Sequence, residues 1–370
     1  MKAHGYGWIG CIAVLSGMLF LACREDRQRP TNALSEEQSR LSSVIGAGAA
    51  AGRVSPVLSR ELSSIVASEF IGDSSGALIA AFNEKLDQAV LQLSSKLFME
   101  TDGRRIAGSI SDYIFTTWGI TFNEDRDNRR YLFPHLVVAG KQGSCVGMSL
   151  LYLLIAEKMD LPLFAVRAPG HLFVRYDNGT ERCNIETLRK GEVMDDAWYR
   201  RRWSIRDTAL YPLDNLTTSG VLAVIHYNLG TICMNEGNHK KSLAHLEKAI
   251  KFLPDFPEAQ GNLALVRDAL GDSRTALEIL AAIRDAHPSF ENIDRNLASL
   301  QLKCAKYDDA LATYSELTCR EPGEPQFHYG RGVALFHLKR ALDAENALRK
   351  VLTLQPDHQG AQQLLARIKN

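Results

Sequence analysis

The chain has 370 residues, of which 45% are hydrophobic, and its 43 basic residues balance 43 acidic ones. This length predicts two or three domains, and a chain without net charge has no field that attracts nucleic acid. Composition therefore argues against a nucleic-acid-binding protein.

The amino terminus combines a basic start with an apolar run. After Lys2 no charged residue occurs until Arg24, and the apolar core extends from Trp8 to Ala22. This pattern predicts a signal peptide or a membrane anchor. Because Cys23 stands at the edge of the run, directly before charged residues, we favour a lipoprotein signal with Cys23 lipidated over an uncleaved span. The protein is then expected in the cell envelope, anchored by its N-terminus and facing outside the cytoplasm.

A single cysteine stands where a helix is predicted to begin. Gly143-Ser144 breaks the chain before Cys145, and apolar residues then recur at helical spacing as far as Met159. In the first turn of a helix the dipole favours a thiolate over a thiol. Cys145 is therefore predicted as a nucleophile. The alternative is a buried, inert cysteine, as most free cysteines are.

A β-hairpin that carries a histidine and a carboxylate follows this helix. Asn178-Gly179 between two strands predicts a two-residue type I′ turn, in a register that puts His171 directly opposite Glu186. Side chains in that relation have Cβ atoms about 4.5 to 5.5 Å apart. Glu186 would then accept a hydrogen bond from the imidazole and fix its tautomer, while His171 serves Cys145 as the base.

Asn184 is a second candidate to orient His171, since a Cys–His–Asn arrangement also works chemically. We favour Glu186, because a residue directly opposite is nearer than one on the diagonal. Period-two alternation predicts a mostly polar face that carries His171, Arg175, Arg182, Asn184 and Glu186, with Phe173 as its exception, and an apolar face that carries Leu172, Val174, Tyr176, Cys183 and Ile185. No zinc-type motif accompanies these residues, so neither a metal nor a cofactor is predicted.

The C-terminal part of the chain has an internal period. Four prolines lie 34 residues apart, and small residues keep the same interval at two further positions: Pro254, Pro288, Pro322 and Pro356; Gly230, Ala264, Ala298 and Gly332; Ser242, Ala276, Ala310 and Ala344. Small side chains let two antiparallel helices approach closely, and this period is typical of tetratricopeptide repeats. Four repeats are predicted from 223 to 358, followed by a capping helix.

Arrays of such repeats present a concave groove. The similarity to tetratricopeptide repeats implies that the groove is lined by Tyr227, Arg295, Lys303, Tyr329 and Phe336. Basic side chains beside aromatic ones would bind a peptide carboxylate, so a protein or peptide partner is expected. The alternative is that Arg295 and Lys303 are solvated charges on a helix face.

The central motifs resemble a known family. Gly143-x-Cys145 at a helix start, then Pro169-Gly170-His171 on a strand and an acid fifteen residues later, are similar to transglutaminase-like cysteine proteins. Together with the repeats, the chain more closely resembles bacterial transglutaminase-like proteins fused to tetratricopeptide repeats, over about residues 60 to 365. The resemblance implies Cys145 as nucleophile, His171 as base and Glu186 as acid. The implied reaction is acyl transfer: amide hydrolysis, deamidation or cross-linking.

The predicted fold class is α+β, with a transglutaminase-like cysteine domain of helices and antiparallel sheet followed by an all-α repeat solenoid. The predicted segments are a signal or anchor at 1–23, a flexible linker at 24–54, the cysteine domain with N-terminal helices at 55–193, a connecting segment at 194–222, four repeats at 223–358 and a capping helix at 359–370. The rival to a membrane-tethered enzyme is a non-catalytic scaffold that binds proteins on a degenerate cysteine-enzyme fold.

Overall fold

A computed structural model describes residues 58–70, 75–125, 127–206, 210–290 and 293–369. The predicted leader at 1–23, with Cys23, and the predicted linker at 24–54 lie outside the described residues. Within the described ranges, no helix has both the length and the apolar character of a membrane span. The described chain divides into two units: the first runs to Asn228 and includes Lys251–Pro254, and the second holds Leu229–Ile250 and the residues from Asp255 onward.

The first unit is built from helices and a small sheet. Its helices are α1 (Leu58–Glu69), α2 (Ser75–Lys96), α3 (Gly103–Ser111), α4 (Pro134–Gly140), α5 (Cys145–Met159) and α6 (Asp196–Arg202), with one π-helical turn at Asp112–Thr117 and 3-10 turns at Arg129–Tyr131 and Thr187–Arg189. Strands β3 (Leu163–Ala168), β4 (His171–Asp177), β5 (Arg182–Glu186) and β6 (Glu192–Met194) form an antiparallel sheet in that order, and β1 (Thr121–Phe122) pairs in parallel with β2 (Gln142–Gly143).

Helix α5 is the centre of this unit. Every residue from Cys145 to Ala156 is buried, and α5 contacts α1, α2 and α4 as well as strands β3 and β4. A helix that is apolar on all sides is stable only when it is surrounded. The core therefore encloses α5, and Cys145 lies where this helix begins.

The hairpin of β4 and β5 differs from the predicted register. Val174 pairs with Ile185 and Asp177 with Arg182, so the connection is a four-residue loop. Continuing this register by one residue places Phe173, and not His171, opposite Glu186. The prediction that His171 directly opposes Glu186 is therefore wrong by two residues. Since the error is an even number, both predicted faces of the hairpin are retained.

The loop conformation explains the error. Of the four described loop residues, Gly179 alone has a positive φ, at 86°, whereas a type I′ turn needs two. The Asn178 side chain accepts hydrogen bonds from the backbone N–H groups of Thr180 and Glu181, at 3.0 and 2.7 Å. Asparagine competes in this way with tight backbone turns. The Glu181 carboxylate also accepts the backbone N–H of Gly103 at 2.9 Å, which ties the longer loop to α3.

Among the described residues after α6, the chain forms a series of helices, preceded by one β-bridge from Asn215 to Val166. The helices are α7 (Thr218–Asn235), α8 (His239–Phe252), α9 (Pro257–Ala269), α10 (Ser273–Ala286), α11 (Ile293–Lys303), α12 (Tyr307–Arg320), α13 (Pro325–His337), α14 (Ala341–Leu354) and α15 (Gln359–Lys369). A Cβ atom on Gly230 would lie 2.7 Å from Leu246 Cγ, and one on Gly332 would lie 2.9 Å from Leu348 Cγ. These close approaches explain the small residues of the repeat, and the predicted α+β class with a helical repeat region is confirmed.

Candidate active site

The start of α5 is fixed by a short loop. Ser144 caps the helix: its side chain accepts the backbone N–H of Gly147 at 3.2 Å, and its own backbone N–H and hydroxyl donate to the carbonyl of Tyr131 at 2.8 and 2.9 Å. A Cβ atom on Gly147 would lie 2.1 Å from the same carbonyl oxygen, so a larger residue does not fit there. Cys145 is thereby held in the first turn, 8% exposed, at the positive end of the helix dipole.

His171 opens β4 directly after a tight turn. Gly170 has a φ of 58°, which the second central position of a type II turn requires, and Ala168 pairs with His171 across it. The side chain of His171 is 1% exposed. The imidazole is therefore held by the sheet, with little freedom to leave its position.

The structure brings the three predicted catalytic residues together. The Nε2 atom of His171 lies 2.9 Å from a carboxylate oxygen of Glu186, and the imidazole also hydrogen-bonds the Cys145 side chain. Since Nε2 is used by Glu186, Nδ1 is the ring nitrogen left for the sulfur. The second oxygen of Glu186 accepts the backbone N–H of Leu188 at 2.8 Å, so both carboxylate oxygens have partners. Glu186 reaches His171 along the diagonal of the hairpin, because its side chain is long.

The charge of His171 is set by these neighbours. Burial by itself lowers the pKa of His171, because a charged ring loses its water. The hydrogen bonds to Cys145 and Glu186, with the negative charges of both groups, outweigh burial and raise the pKa of His171 to about 9. The arrangement therefore favours an imidazolium at neutral pH.

Asn184, the alternative orienter, is engaged elsewhere. Its amide oxygen accepts Nε of Arg175 at 2.6 Å, and its amide nitrogen donates to Asp196 at 2.7 Å. Arg175, which is fully buried, also donates to Asp196 at 2.7 Å and to the carbonyl of Leu213 at 2.6 Å. These contacts fasten α6 and the chain around 213 to the sheet, and Glu186 is left to orient His171.

The sequence did not predict the aromatic side chains that pack beside the site. Phe173, Tyr199 and Trp203, here called the aromatic stack, lie on β4, on α6 and just after α6. Trp203 stacks on His171 with ring centroids 4.3 Å apart and planes 6° from parallel, and Tyr199 stacks on Phe173 at 3.7 Å. Tyr199 and Trp203 are four residues apart, a spacing that places two side chains on one helix face and was the available signal. The predicted connecting segment at 194–222 is in this region part of the first unit.

Tyr199 has a buried hydroxyl that faces the carboxylate of Glu186. Burial, followed by the negative charge of Glu186, raises the pKa of Tyr199, so its ring stays neutral. Cys183, also buried in this unit, has a pKa raised to about 11 by burial. Across the described ranges, no group of three or more His, Cys, Asp or Glu side chains is arranged as a metal site.

The predicted groove residues of the repeats already have partners inside the chain. Arg295 lies 2.5 Å from a carboxylate oxygen of Glu321, and Lys303 lies 2.6 Å from one of Asp268. The aromatic members also have neighbours: Tyr329 packs on His358, and Phe336 lies under Arg367. Tyr227, on α7, belongs to the first unit, and the other four belong to the second. A peptide carboxylate would therefore compete with Glu321 and Asp268 for the two basic groups.

Comparison with family models identifies both parts of the chain. Residues 80–213 match a model described as the transglutaminase-like superfamily, and residues 223–256 and 295–359 match tetratricopeptide repeat models. The predicted combination of these two domains is confirmed. Among curated proteins, two from Xylella fastidiosa, strains Temecula1 and 9a5c, both described as "UPF0162 protein", are 24% identical over 205 residues, which is 50% of this chain and 69% of theirs.

Two solved structures also match part of this chain. MamA from Desulfovibrio magneticus RS-1 is 19% identical, with a TM-score of 0.39, over 40% of this chain and 84% of that one. YrrB, described as a TPR protein with an unusual peptide-binding site, is 21% identical, with a TM-score of 0.37, over 38% of this chain and 73% of that one.

Proposed function

We propose that this chain, which carries a transglutaminase-like domain followed by tetratricopeptide repeats, is a thiol acyl-transfer enzyme whose repeats recruit a protein partner. The observation that carries the proposal is the buried, hydrogen-bonded row of Cys145, His171 and Glu186. A nucleophile, a base and a group that orients the base form the constellation that covalent acyl transfer needs.

Each residue of the row has one role in the reaction. The Cys145 thiolate attacks an amide carbonyl, and the carbonyl electron pair moves to oxygen to give a tetrahedral intermediate. When that pair returns, the carbon–nitrogen bond breaks, and the His171 imidazolium gives its proton to the leaving amine. Water or a second amine then attacks the thioester, and neutral His171 takes up the proton of that nucleophile. The carbon–sulfur bond breaks, which releases the acyl product and restores the Cys145 thiolate beside the His171 imidazolium. Glu186 holds the ring and stabilises its charged form in both steps.

The nucleophile is tested by its reactivity. Limiting iodoacetamide is added to the full chain at pH 7, and labelled peptides are quantified by mass spectrometry. Because burial raises the pKa of Cys183 to about 11, little of it is thiolate, and Cys145 should react at least about a hundredfold faster. Cys183 is the matched control, since it is a buried cysteine of the same unit. Equal rates at the two positions would refute the enzyme.

Acyl transfer is then tested by trapping the thioester. A glutamine-containing peptide and hydroxylamine are supplied together, since hydroxylamine converts a thioester into a hydroxamate. Formation of hydroxamate by the wild type but not by Cys145→Ser supports transfer. Rapid alkylation without any hydroxamate would mean that the peptide offered is not a substrate, and a panel of peptides with other acyl groups would follow.

One observation favours the alternative, a non-catalytic scaffold. Cys145 is 8% exposed, and the side chains of His171 and Glu186 are 1% and 0% exposed. A substrate carbonyl thus has little of the sulfur to attack in this conformation. In a scaffold, Cys145→Ser would leave every function of the protein intact, including the capture of its partner.

The repeats support the recruitment of a protein partner, because large concave repeat surfaces serve as binding surfaces. Arg295 and Lys303 remain the proposed contacts for a peptide carboxylate, in exchange for their present partners Glu321 and Asp268. Arg295→Glu should then weaken a carboxylate-bearing partner in a pull-down with only a small decrease in melting temperature, since a half-exposed ion pair contributes little to stability. An unchanged pull-down would remove Arg295 from the binding surface.

The proposed location is the cell envelope. It is supported by the apolar run that ends at Cys23 and by the charged residues directly after it. A lipid on Cys23 would tether the enzyme to a membrane and bring it to substrates outside the cytoplasm.

A further inference from the structure

Trp203 covers one face of the His171 ring. The two rings are parallel within 6°, with centroids 4.3 Å apart, and Trp203 is itself half-buried. Tyr199 continues the aromatic stack at 6.4 Å from His171 and 5.5 Å from Trp203. The imidazole therefore has hydrogen-bonding groups at its edge and an indole on its face.

The strength of this stacking depends on the charge of the imidazole. Nearly parallel rings with centroids 4.3 Å apart form an offset stack, which neutral rings also adopt, and a cation is in addition attracted to the face of an indole. The titratable groups that face His171 are Cys145 on α5, Glu186 on β5 and Tyr199 on α6, of which Tyr199 is neutral. Trp203 is thus a further neighbour of the imidazole whose interaction depends on the charge of the ring.

Trp203 is held in place by the anchoring of α6. Asp196 accepts hydrogen bonds from Arg175 and Asn184, each at 2.7 Å, on the polar face of the hairpin. The backbone N–H of Trp203 donates to the carbonyl of Tyr199 at 3.0 Å. The indole is therefore positioned by a helix that is fastened to the same sheet as His171.

We propose that Trp203 is a positioning residue, whose indole keeps the His171 ring in plane and stabilises the imidazolium form. The effect on catalysis rests on the proposed function. Because the indole stabilises the protonated imidazole and not the neutral one, Trp203 widens the pH range over which the thiolate–imidazolium pair exists.

The test is a pH titration of His171 in the full chain, monitored by NMR of carbon-13-labelled histidine. The His171 signal is assigned as the one that is missing in His171→Gln. The pKa of His171 should fall by about one pH unit in Trp203→Leu, as expected for a cation–π contact away from water. Trp203→Phe should restore most of the difference. Trp198→Leu is the matched control, because Trp198 is a tryptophan of helix α6 and meets Trp203 and Tyr199 edge-on, at 5.6 and 5.0 Å.

An unchanged pKa in a folded Trp203→Leu variant would overturn the inference, and so would an equal shift in Trp198→Leu. Near-ultraviolet circular dichroism shows whether the variants keep their packing. If Trp203→Leu unfolds the domain, the pKa of His171 in Trp203→Phe is compared with that of the wild type. A small decrease in pKa is then expected, and no decrease would count against Trp203. Slow alkylation of wild-type Cys145 would refute the proposed enzyme but would leave this titration valid.

Discussion

Replacement of Glu186 by glutamine removes the negative charge of the side chain and keeps its size, so it tests the effect of the charge on His171. The carboxylate accepts two hydrogen bonds, from Nε2 of His171 at 2.9 Å and from the backbone N–H of Leu188 at 2.8 Å. Glutamine has one acceptor oxygen, so its amino group must face one of the two donors. Because the Leu188 N–H group cannot give up its proton, the amide oxygen should remain there. The amino group then faces Nε2 of His171, which must lose its proton.

The magnitude follows from these contacts. A hydrogen bond to a charged group contributes roughly 1.5 to 3 kcal/mol, and one pKa unit corresponds to about 1.4 kcal/mol. The pKa of His171, raised to about 9 in the wild type, should therefore fall by about one to two units in Glu186→Gln. Hydroxamate formation near pH 8 should fall as well, since fewer rings carry the proton that the leaving amine needs.

The assay is the histidine titration, with Glu192→Gln as control, because Glu192 is a half-exposed glutamate on the neighbouring strand that pairs with Arg189. Glu186→Asp supplies a second comparison. It shortens the side chain by about 1.5 Å, one carbon–carbon bond, which breaks the diagonal contact, so it should be no better than Glu186→Gln. A pKa of His171 that stays near its wild-type value in Glu186→Gln would refute the assignment of Glu186 as orienter.

Three further outcomes are expected. The pKa of His171 is raised above its ordinary value of 6.5 to about 9, so its stabilising contribution is complete below pH 6.5 and is lost as the pH rises through 9; urea unfolding from pH 6 to 10 should show a loss that His171→Gln lacks. Gly230→Ala should lower the free energy of unfolding by about 1 kcal/mol, because the new Cβ atom meets Leu246 at 2.7 Å. Gly261→Ala, with open space at its Cβ position, should raise the free energy of unfolding by about 0.5 to 1 kcal/mol; thermal melts of both variants measure the two changes. Cys23→Ser should abolish incorporation of a labelled fatty acid and release the protein from membranes, and labelling that persists in the variant would rule out lipidation at Cys23.

The faces of the hairpin were predictable from the sequence, but its register was not. Alternation of side chains depends on residue parity alone, so His171 and Glu186 share a face in either register. The register depends on the loop, where the side chain of Asn178 captures backbone N–H groups that a two-residue turn would use differently. The prediction of Glu186 as the partner of His171 therefore rested on a register in which the two residues are directly opposite, and that register is wrong. Glu186 lies diagonal to His171 and reaches it with a long side chain, whereas Asn184 pairs with Arg175, four residues from His171.

The repeats were more accessible to prediction, because their small residues recur at one fixed interval. The small residues pack against large neighbours: Gly230 packs against Leu246, and Gly332 packs against Leu348. Ion pairs carry no such period. That Arg295 pairs with Glu321, 26 residues later, depends on how successive helices pack, and a single sequence does not contain that information.

The aromatic stack was missed for a related reason. In the sequence, Trp203 lies in a segment without strong periodicity. The absence of periodicity indicated that this segment connects two domains. Its position beside His171 is fixed by Asp196, through a buried arginine on a strand about twenty residues earlier. Contacts of that kind appear only once the sheet is assembled.

The burial of α5 on every side also has a consequence for how the protein reaches its native state. From Cys145 to Ala156 every residue of the helix is buried, so an isolated α5 would associate with other apolar surfaces during synthesis. The sheet and the surrounding helices must therefore close around it in one cooperative step. Because Cys145 opens this helix, its special reactivity would arise only as that step is completed. Brief pulses of alkylating reagent during refolding would then time the assembly of the first unit through the appearance of a reactive thiol.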